Sequence, residues 1–429
     1  MVASDHTLCG APVTEPSLIG AAKTAMNMDM ATRSKLRRTA RAAPLPLPDC
    51  VALVLQGGGA LGSYQGGVIE GLAASGIEVD WVAGISIGAV NAAIFAGNPP
   101  ERRVEKLRQF WDGLTSALPS FPIFPNDQMR ELVHEWSASM VIAGGVPGFF
   151  TPRLLPPSLA TPGTAAALSY YDTSPLVKTL DTLVDWDLLN KGPVRLSVGA
   201  VDVESGNFRY FDTRSERIDA RHIMASGALP PGLPPVEIDG RWWWDGGLVS
   251  NTPLTHVLDN QDAPLLAFQV DLFSATANPP RTIMDVMARE MEIRFSSRTR
   301  QISDQVIKLR REREAIRKVL AKLPDQLSDD PDVADLAAMA AERPVSLVQL
   351  VHRANAWEGG ARGYEFSART MQENWQAGVA AIGHVMTGAE LLAHNIADGT
   401  TATFDLCASH GLKPGRSRKS RPMETNDVP

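Results

Sequence analysis

The chain has 429 residues, of which 44% are hydrophobic and 21% charged, and this composition excludes a collagen-like, fibrous or wholly disordered protein. At this length we expect two or three folded units. Lys and Arg number 41 against 48 Asp and Glu, and the formal net charge of −7 argues against a dedicated nucleic-acid-binding protein. The three cysteines, at wide spacing, predict neither a disulfide framework nor a Cys/His metal site.

The charge is distributed unevenly along the chain. Residues 1–48 and residues 413–429 each have a net charge of +3, so the middle of the chain has −13. We find no apolar run of the length, about 18 residues, that predicts a membrane span, and no secretory signal at the start. We therefore expect a cytoplasmic protein. Its basic ends are interpreted as solvated disordered tails, with peripheral contact to an anionic membrane as the open alternative.

The first predicted elements form two similar units. Residues 1–48 are predicted to be a tail because a basic run and a Pro-rich segment leave no face to bury. Val51–Leu55 then predicts a buried strand that ends at a glycine turn and is followed by a helix over Ala60–Ser75. The same order recurs in the strand Trp81–Ile85 and the helix Ile87–Ala96. Successive units of this kind predict an α/β fold with a mainly parallel sheet covered by helices.

The rest of the chain predicts further strands and then a helical unit. The predicted elements are, in order, the helices Glu101–Leu114 and Ser174–Leu189, the strands Val194–Asp202 and Phe208–Phe211, the hairpin Val236–Ile238 with Arg241–Trp244, the strand Leu265–Leu272, the helices Ile283–Phe295 and Thr299–Leu323, the strand Val345–His352 and a helix from the N-cap Ser367 to Met386. Between the predicted helices Glu101–Leu114 and Ser174–Leu189, the segment Ser139–Tyr171 is apolar and Pro-rich and predicts a long loop. We expect a catalytic domain over 49–280, a mostly helical domain over 281–410 and a second basic tail over 411–429.

Gly84-Ile85-Ser86-Ile87-Gly88 is a G-x-S-x-G sequence at a predicted strand-to-helix corner. A serine on such a sharp turn exposes its hydroxyl group, and the flanking Gly84 and Gly88 leave room for the strand and the helix to pass close together. The helix that follows directs its N-terminal N–H groups toward any oxyanion formed at the serine. The sequence therefore predicts Ser86 as a nucleophile.

Gly57-Gly58-Gly59-Ala60-Leu61-Gly62 follows the first strand and matches G-x-G-x-x-G, a pattern that also occurs in dinucleotide-binding turns. Such a turn requires an acidic residue at the end of the second strand, whereas Asp80 stands before that strand. We therefore interpret this segment, the glycine loop, as an oxyanion hole. Its backbone donors are predicted to come from Gly57, Gly58, Gly59 and Ile87. A dinucleotide-binding oxidoreductase is the alternative.

Asp245-Gly246-Gly247 directly follows the predicted strand that contains Trp242, Trp243 and Trp244. A serine needs a base, and an ordinary Asp with a pKa of about 3.9 is a weak one. Burial beside apolar rings raises the pKa of a carboxyl group and makes it a better proton acceptor. We therefore predict that Asp245 is the general base, with Gly246 and Gly247 forming a tight turn.

The glycine loop, the G-x-S-x-G sequence and the D-G-G sequence, in this order, resemble the patatin-like phospholipase family over about Asp49 to Phe273. Further matching residues are Ala225-Ser226 with Pro230, and Asn251-Thr252-Pro253-Leu254. The resemblance implies a three-layer α/β/α fold and a serine acyl hydrolase of the phospholipase A or lysophospholipase type. It also implies a dyad of Ser86 and Asp245 that uses no histidine, metal or cofactor, and a phospholipid or another acyl ester as substrate.

The C-terminal part, with Tyr364-Glu365-Phe366-Ser367 and Trp375, is similar to an uncharacterised domain found behind some bacterial members of the family. The chain departs from the family at Leu61, where many members have a basic residue. Stabilisation of negative charge is therefore expected from backbone N–H groups and the helix end. The chain also has Ile85 where a threonine is common, which is expected to affect packing more than chemistry.

A catalytic triad and two other functions are the remaining alternatives. A Ser-Asp-His hydrolase would take its histidine from downstream of the acid, that is from His256, His352, His384, His394 or His410. We interpret these histidines, together with His222, as structural or surface residues, and Asn251 as a turn or cap residue. A non-catalytic lipid- or protein-interaction module and, among hydrolases, an intracellular polyester depolymerase are the other two possibilities.

Overall fold

The computed structural model of the protein describes residues 45–115, 127–274, 279–280, 283–327, 329–340, 343–353 and 362–405. The C-terminal basic tail and nearly all of the N-terminal tail predicted from the sequence lie outside these residues, as does His410. None of the described helices is both long enough and apolar enough to span a membrane.

The strands are β1 (Cys50–Leu55), β2 (Trp81–Gly84), β3 (Thr151–Pro152), β4 (Tyr171–Asp172), β5 (Arg195–Asp202), β6 (Phe208–Asp212), β7 (Val236–Ile238), β8 (Arg241–Asp245), β9 (Leu265–Asp271), β10 (Val345–Val351) and β11 (Ala402–Phe404). The helices are α1 (Ser63–Ser75), α2 (Ile87–Ala96), α3 (Pro100–Thr115), α4 (Asp127–Gly144), α5 (Ser174–Leu183), α6 (Trp186–Lys191), α7 (Ala220–Ser226), α8 (Leu254–Asp259), α9 (Ile283–Leu320), α10 (Pro331–Met339), α11 (Ala368–Thr387) and α12 (Ala389–Ala397). Short 3₁₀ helices occur at Gly59–Gly62, Pro157–Leu159, Ala165–Ala167, Gly246–Leu248, Asp325–Leu327 and Arg362–Tyr364.

One mixed sheet forms the centre of the fold, with strand order β11-β10-β9-β1-β2-β5-β8-β7 and with β6 paired to β5. The six strands from β11 to β5 in this order are parallel, whereas β6, β7 and β8 run antiparallel to their neighbours. Val51 to Leu55 of β1 are buried on both faces of the sheet, because helices cover a parallel sheet on both sides. The α/β prediction with a mainly parallel sheet is confirmed.

Helix α8 covers one face of the sheet. Its residues Leu254, Val257 and Leu258 pack with Ala52 and Val54 of β1 in one buried cluster. The cluster continues to Val345 and Leu347 of β10. The strand predicted at Val345–His352 is therefore present, and β10 and β11 extend the same sheet that the first part of the chain begins.

The hairpin of β7 and β8 is also confirmed. Asp239 and Gly240 connect the two strands with φ angles of 52° and 77°. Two consecutive positive φ angles are typical of the type I′ turn, which matches the twist of a two-residue hairpin.

Three predicted element boundaries are wrong. The helix predicted over Ser174–Leu189 is two helices, because the Asp185 side chain caps a new helix by accepting from the N–H groups of Asp187 and Leu188 at 2.9 Å. The loop predicted from Ser139 begins only after Gly144, where α4 ends.

The two charged helices predicted after residue 280 form the single helix α9. No proline or glycine interrupts the sequence between them, and Ser296 remains in the helix with its hydroxyl donating to the carbonyl of Glu292 at 2.6 Å.

Candidate active site

The sheet topology brings the glycine loop and the predicted nucleophile together. Strands β1 and β2 are parallel neighbours, and Leu55 at the end of β1 pairs with Gly84 at the end of β2. The two segments that follow, the glycine loop and Ser86, therefore leave the sheet at the same edge. In open parallel sheets, ligands bind outside the carboxyl ends of the strands, and this is where both segments lie.

Ser86 has the strained backbone of a nucleophile elbow, with φ 55° and ψ −125°. A non-glycine residue with positive φ is uncommon and persists only where its surroundings hold it. The Ser86 N–H donates to both the carbonyl and the hydroxyl oxygen of Ser226 at 3.1 Å. A methyl group on Gly84 would lie 2.3 Å from the carbonyl oxygen of Gly88, and one on Gly88 would lie 2.4 Å from that of Leu55. Only glycine allows these approaches.

Asp245 is the last residue of β8 and is 2% exposed. The Ser86 hydroxyl group lies close enough to its carboxyl group to lower its pKa, and its Oδ1 accepts from the N–H of Gly247 at 2.7 Å. Burial raises the pKa of Asp245 to about 7, against the opposing effect of these two contacts. Gly246 lies so close to the backbone of β5 that a methyl group on it would be 2.6 Å from the carbonyl oxygen of Gly199.

Unpaired backbone donors lie in the glycine loop and directly after the serine. Within the described part of the chain, the N–H groups of Gly58, Gly59 and Ile87 donate to no protein acceptor. Buried or half-buried donors of this kind are rare, since most backbone N–H groups in folded proteins are paired. The N–H of Gly57 differs, because it donates to the carbonyl oxygen of Asn251 at 3.2 Å. Gly57 was predicted as an oxyanion donor, but its N–H is already paired. It contributes to the shape of the loop instead.

Asn251 holds the glycine loop from the side of the D-G-G turn. Besides accepting the Gly57 N–H, it donates from its side-chain amide to the carbonyl oxygen of Gly57 at 3.0 Å. Methyl groups on Gly57 and Gly247 would lie 2.5 and 2.9 Å from its side-chain oxygen. From the sequence, Asn251 was predicted only as a turn or cap residue, although its match to the family was a signal for this contact.

A buried polar network supports the helices that leave the site. The Asn91 side-chain amide donates to the carbonyl oxygen of Gly62 and to Gln65, both at 2.9 Å, and its oxygen accepts from the indole of Trp111 at 3.1 Å. These contacts tie the end of the glycine loop to α1, α2 and α3. Fully satisfied buried networks of this kind rigidify the elements that they join.

The histidines considered for a triad lie in other contacts. Among the described residues, neither Ser86 nor Asp245 hydrogen bonds to a histidine. His256 pairs with Asp212 at 3.4 Å and stacks on Tyr210, and His352 contacts the Asn374 side chain at 3.1 Å. The remaining three lie in local contacts or at the surface: His222 caps its own helix with Asp219, His394 pairs with Asp398, and His384 is exposed in the last turn of α11.

The described residues contain no group of three or more His, Cys, Asp or Glu side chains that could hold a metal ion. One further buried carboxyl group, Asp271 at the end of β9, lies near the same edge of the sheet. Burial raises its pKa to about 7, and it accepts from the side-chain amide of Gln269 at 2.7 Å.

Comparison with known proteins is consistent with this geometry. The family model described as patatin-like phospholipase matches residues 53–258, and a second model, described as patatin phospholipase, matches residues 293–396. An uncharacterized NTE family protein of Mycobacterium tuberculosis is 27% identical over 232 residues, which are 54% of this chain and 51% of that protein. The chain thus spans about half the length of the curated relatives it matches first.

Shorter matches and solved structures extend the comparison. The lysophospholipase nte1 of Aspergillus terreus is 54% identical over 46 residues, 11% of this chain and 3% of that protein. The human GIVD cytosolic phospholipase A2 structure covers 88% of this chain and 64% of its own, with a TM-score of 0.38 and 12% identity. The structure of VipD from Legionella pneumophila covers 80% of this chain and 67% of its own, with a TM-score of 0.37 and 14% identity. The two family models together span well over half of the chain, which therefore belongs to the patatin-like phospholipase family.

Proposed function

We propose that the protein is a serine acyl hydrolase that cleaves phospholipids or lysophospholipids with Ser86 as nucleophile and Asp245 as general base. The observation that carries the proposal is the approach of the Ser86 hydroxyl group, on its strained turn, to the buried Asp245 carboxyl group, whose pKa is raised to about 7. A base with a pKa near the working pH combines a useful ionised fraction with enough basicity to accept a proton.

The reaction follows from these positions. The Ser86 oxygen attacks the ester carbonyl carbon while Asp245 takes the hydroxyl proton. The oxyanion that forms accepts hydrogen bonds from the unpaired N–H groups of Gly58, Gly59 and Ile87, and the N-terminus of α2 adds its partial positive charge. Asp245 then gives its proton to the leaving alcohol. A water molecule, deprotonated by Asp245, then attacks the acyl-enzyme, and Asp245 returns this proton to the Ser86 oxygen as the fatty acid leaves.

The contacts of the glycine loop favour this function over dinucleotide binding. The loop is held on one side by Asn251, and on the other side a methyl group on Gly59 would lie 2.3 Å from the carbonyl oxygen of Gly363. A pyrophosphate extends along such a loop and needs its backbone open over several residues, whereas a single oxyanion needs only the N–H groups that face the nucleophile. The strand after it leads to the strained Ser86 rather than to a ribose-binding acid.

The test uses a fluorophosphonate probe and a water-soluble p-nitrophenyl ester. We expect the wild-type protein to be labelled and to hydrolyse the ester. Ser86→Ala should abolish both, Asp245→Asn should abolish hydrolysis, and the surface control Ser174→Ala should do neither. Labelling of Ser86→Ala at the wild-type rate would contradict the assignment. Calorimetry with NAD and FAD should detect no binding, and a bound dinucleotide would favour the alternative.

We also propose that the protein contacts a lipid surface through an apolar segment beside the active site. Residues 154–170 contain no charged side chain. Leu154 is fully exposed and Leu159 is 70% exposed. The segment connects to the site, because the N–H groups of Tyr170 and Tyr171 donate to the carbonyl oxygens of Pro231 and Gly232, a few residues after the Ser226 that binds the Ser86 N–H. Exposed apolar patches of this kind mark interaction surfaces.

Liposome co-sedimentation tests this contact. Replacing Leu154 and Leu159 together by glutamate should weaken binding to phosphatidylcholine vesicles without changing hydrolysis of the water-soluble ester. Leu336→Glu, on α10, replaces a leucine that is 40% exposed and serves as the matched control. Equal vesicle binding by the double variant and the control would contradict the proposal. Deleting residues 411–429 tests separately whether that basic tail contributes.

A further inference from the structure

A segment from the C-terminal part of the chain covers the glycine loop. The 3₁₀ helix Arg362–Tyr364 packs directly on the 3₁₀ helix Gly59–Gly62. Gly59 has φ +58°, and the Gly363 carbonyl oxygen stands where a side chain on Gly59 would begin. The backbones of the two segments therefore meet without an intervening side chain, at one of the proposed oxyanion donors.

A buried ion pair fixes this covering segment. The Arg362 guanidinium donates to the carboxyl group of Glu292 on α9, and the two side chains are 8% and 10% exposed. Arg289 donates to the other carboxyl oxygen of Glu292 at 2.8 Å. Removal of one member of a buried pair leaves an uncompensated charge and is strongly unfavourable. The backbone at Gly363 is thus tied to α9 through its neighbour Arg362.

Helix α9 also reaches the start of the glycine loop directly. The Phe295 carbonyl oxygen, one turn after Glu292, accepts from the side-chain amide of Gln56 at 3.3 Å. The oxygen of the same side chain accepts from the N–H groups of Leu272 and Phe273 at 2.6 and 3.1 Å. Gln56 is fully buried and immediately precedes Gly57. The residue that precedes the loop is therefore held between α9 and the end of β9.

A third contact acts on the helix that follows the loop. Helix α11 packs against α1 so closely that a methyl group on Gly67 would lie 1.9 Å from the carbonyl oxygen of Trp375. On the opposite helix, a methyl group on Gly378 would lie 2.2 Å from the carbonyl oxygen of Tyr64. Small residues permit this backbone-to-backbone packing, and α1 has little room to shift relative to α11.

We propose that the C-terminal region is part of the catalytic machinery, because it holds the glycine loop in its oxyanion-binding shape through the ion pair of Arg362 and Glu292. Both side chains are positioning residues, since they act through Gly363 and Gln56 rather than on the substrate. The inference rests on the proposed function and assigns to residues after 280 a role in the reaction.

The expected effect is on turnover rather than on substrate binding. Loss of an oxyanion donor costs about a hundredfold or more in kcat, and a misplacement of about 1 Å has a comparable effect. The ion pair acts on the donors only through the backbone of Gly363. We therefore expect Glu292→Gln to lower kcat for a p-nitrophenyl ester about tenfold to a hundredfold while KM changes less than about twofold.

Glu290→Gln is the matched control, since it makes the same change two residues away on α9. Glu290 pairs with Arg294 at 2.9 Å and is 60% exposed, so kcat should not change. Arg362→Lys keeps the charge but loses the planar fork of the guanidinium, and it should give an intermediate kcat. A kcat for Glu292→Gln within twofold of the control, in folded protein, would overturn the proposal.

Amide hydrogen exchange gives a readout that does not depend on catalysis. The N–H groups of Gly57 and Leu61 donate within the site, to Asn251 and Gly58, and peptides covering residues 55–63 should exchange faster in Glu292→Gln than in Glu290→Gln. If the variants do not fold, the wild-type protein in low urea is measured instead, and residues 55–63 and 362–366 should lose protection together. Earlier opening of residues 55–63 alone would refute the proposal.

A wild-type protein that is neither labelled by the fluorophosphonate probe nor active would refute the proposed function, while the exchange result would still decide whether the C-terminal region positions the glycine loop.

Discussion

Replacing Asp245 by asparagine separates the chemical role of this carboxyl group from its effect on stability. Burial raises the pKa of Asp245 from 3.8 to about 7 in the folded protein. Between these two values the folded state binds a proton that the unfolded state does not, so the free energy of unfolding falls as the pH rises through this window. One pKa unit corresponds to about 1.4 kcal/mol, and the ionised carboxylate therefore destabilises the fold by about 4 kcal/mol above pH 7.

Asp245→Asn removes this titration and keeps an oxygen that accepts the Gly247 N–H. We expect the stability of the variant, relative to the wild type, to increase by about 3 kcal/mol between pH 5 and pH 8.5, since about two pH units of the window lie above pH 5, while ester hydrolysis is lost. Urea denaturation at both pH values measures the first effect, and a p-nitrophenyl ester assay measures the second.

Asp271→Asn is the matched control, because burial also raises the pKa of Asp271 to about 7 but the residue has no proposed part in the reaction. The side-chain oxygen of its partner Gln269 has no protein donor among the described residues, so the Gln269 amide can turn to accept from an asparagine. This variant should show a similar change of stability with pH and retain activity. Parallel stability curves for the wild type and Asp245→Asn would refute the raised pKa, and wild-type turnover by Asp245→Asn would refute its role as the base.

Four further predictions concern the site and its supports. The value of kcat/KM should increase with pH through about 7 and then level off, because Asp245 must be ionised to accept the proton, and a profile flat from pH 5 to 8 would contradict this. Asn251→Ala should lower kcat at least about tenfold with little change in KM, since Gly57 loses a side-chain contact, and unchanged kcat would contradict that role. His256→Gln should keep ester hydrolysis in folded protein, whereas a triad predicts its loss. On α11, Gly378→Ala should lower the melting temperature because its methyl group meets the Tyr64 carbonyl, while Gly383→Ala, with open space around it, should raise stability by about 0.5–1 kcal/mol.

Local sequence determined the elements that carry the site. Two patterns were enough to predict two strand-turn-helix units. One is a buried apolar run followed by three glycines, and the other is a second apolar run that leads to a serine flanked by glycines in G-x-S-x-G. Adjacent parallel strands then bring their carboxyl ends to one edge, as the pairing of Leu55 with Gly84 shows. The three wrong boundaries lie where a local choice competes with helix continuation, such as the cap at Asp185 or the uninterrupted stretch at Ser296.

The sequence by itself determined the order of strands and turns and the residue types that suit acyl transfer, because these depend on neighbours in the chain. Only the tertiary structure decided that Asp245 is buried and contacts Ser86, that Asn251 binds Gly57, and that Gly363 covers Gly59. A pKa depends on how much water surrounds a carboxyl group, and a close backbone approach depends on where distant segments pack. Segments separated by some three hundred residues, such as Gly59 and Gly363, leave no local pattern from which their contact can be predicted.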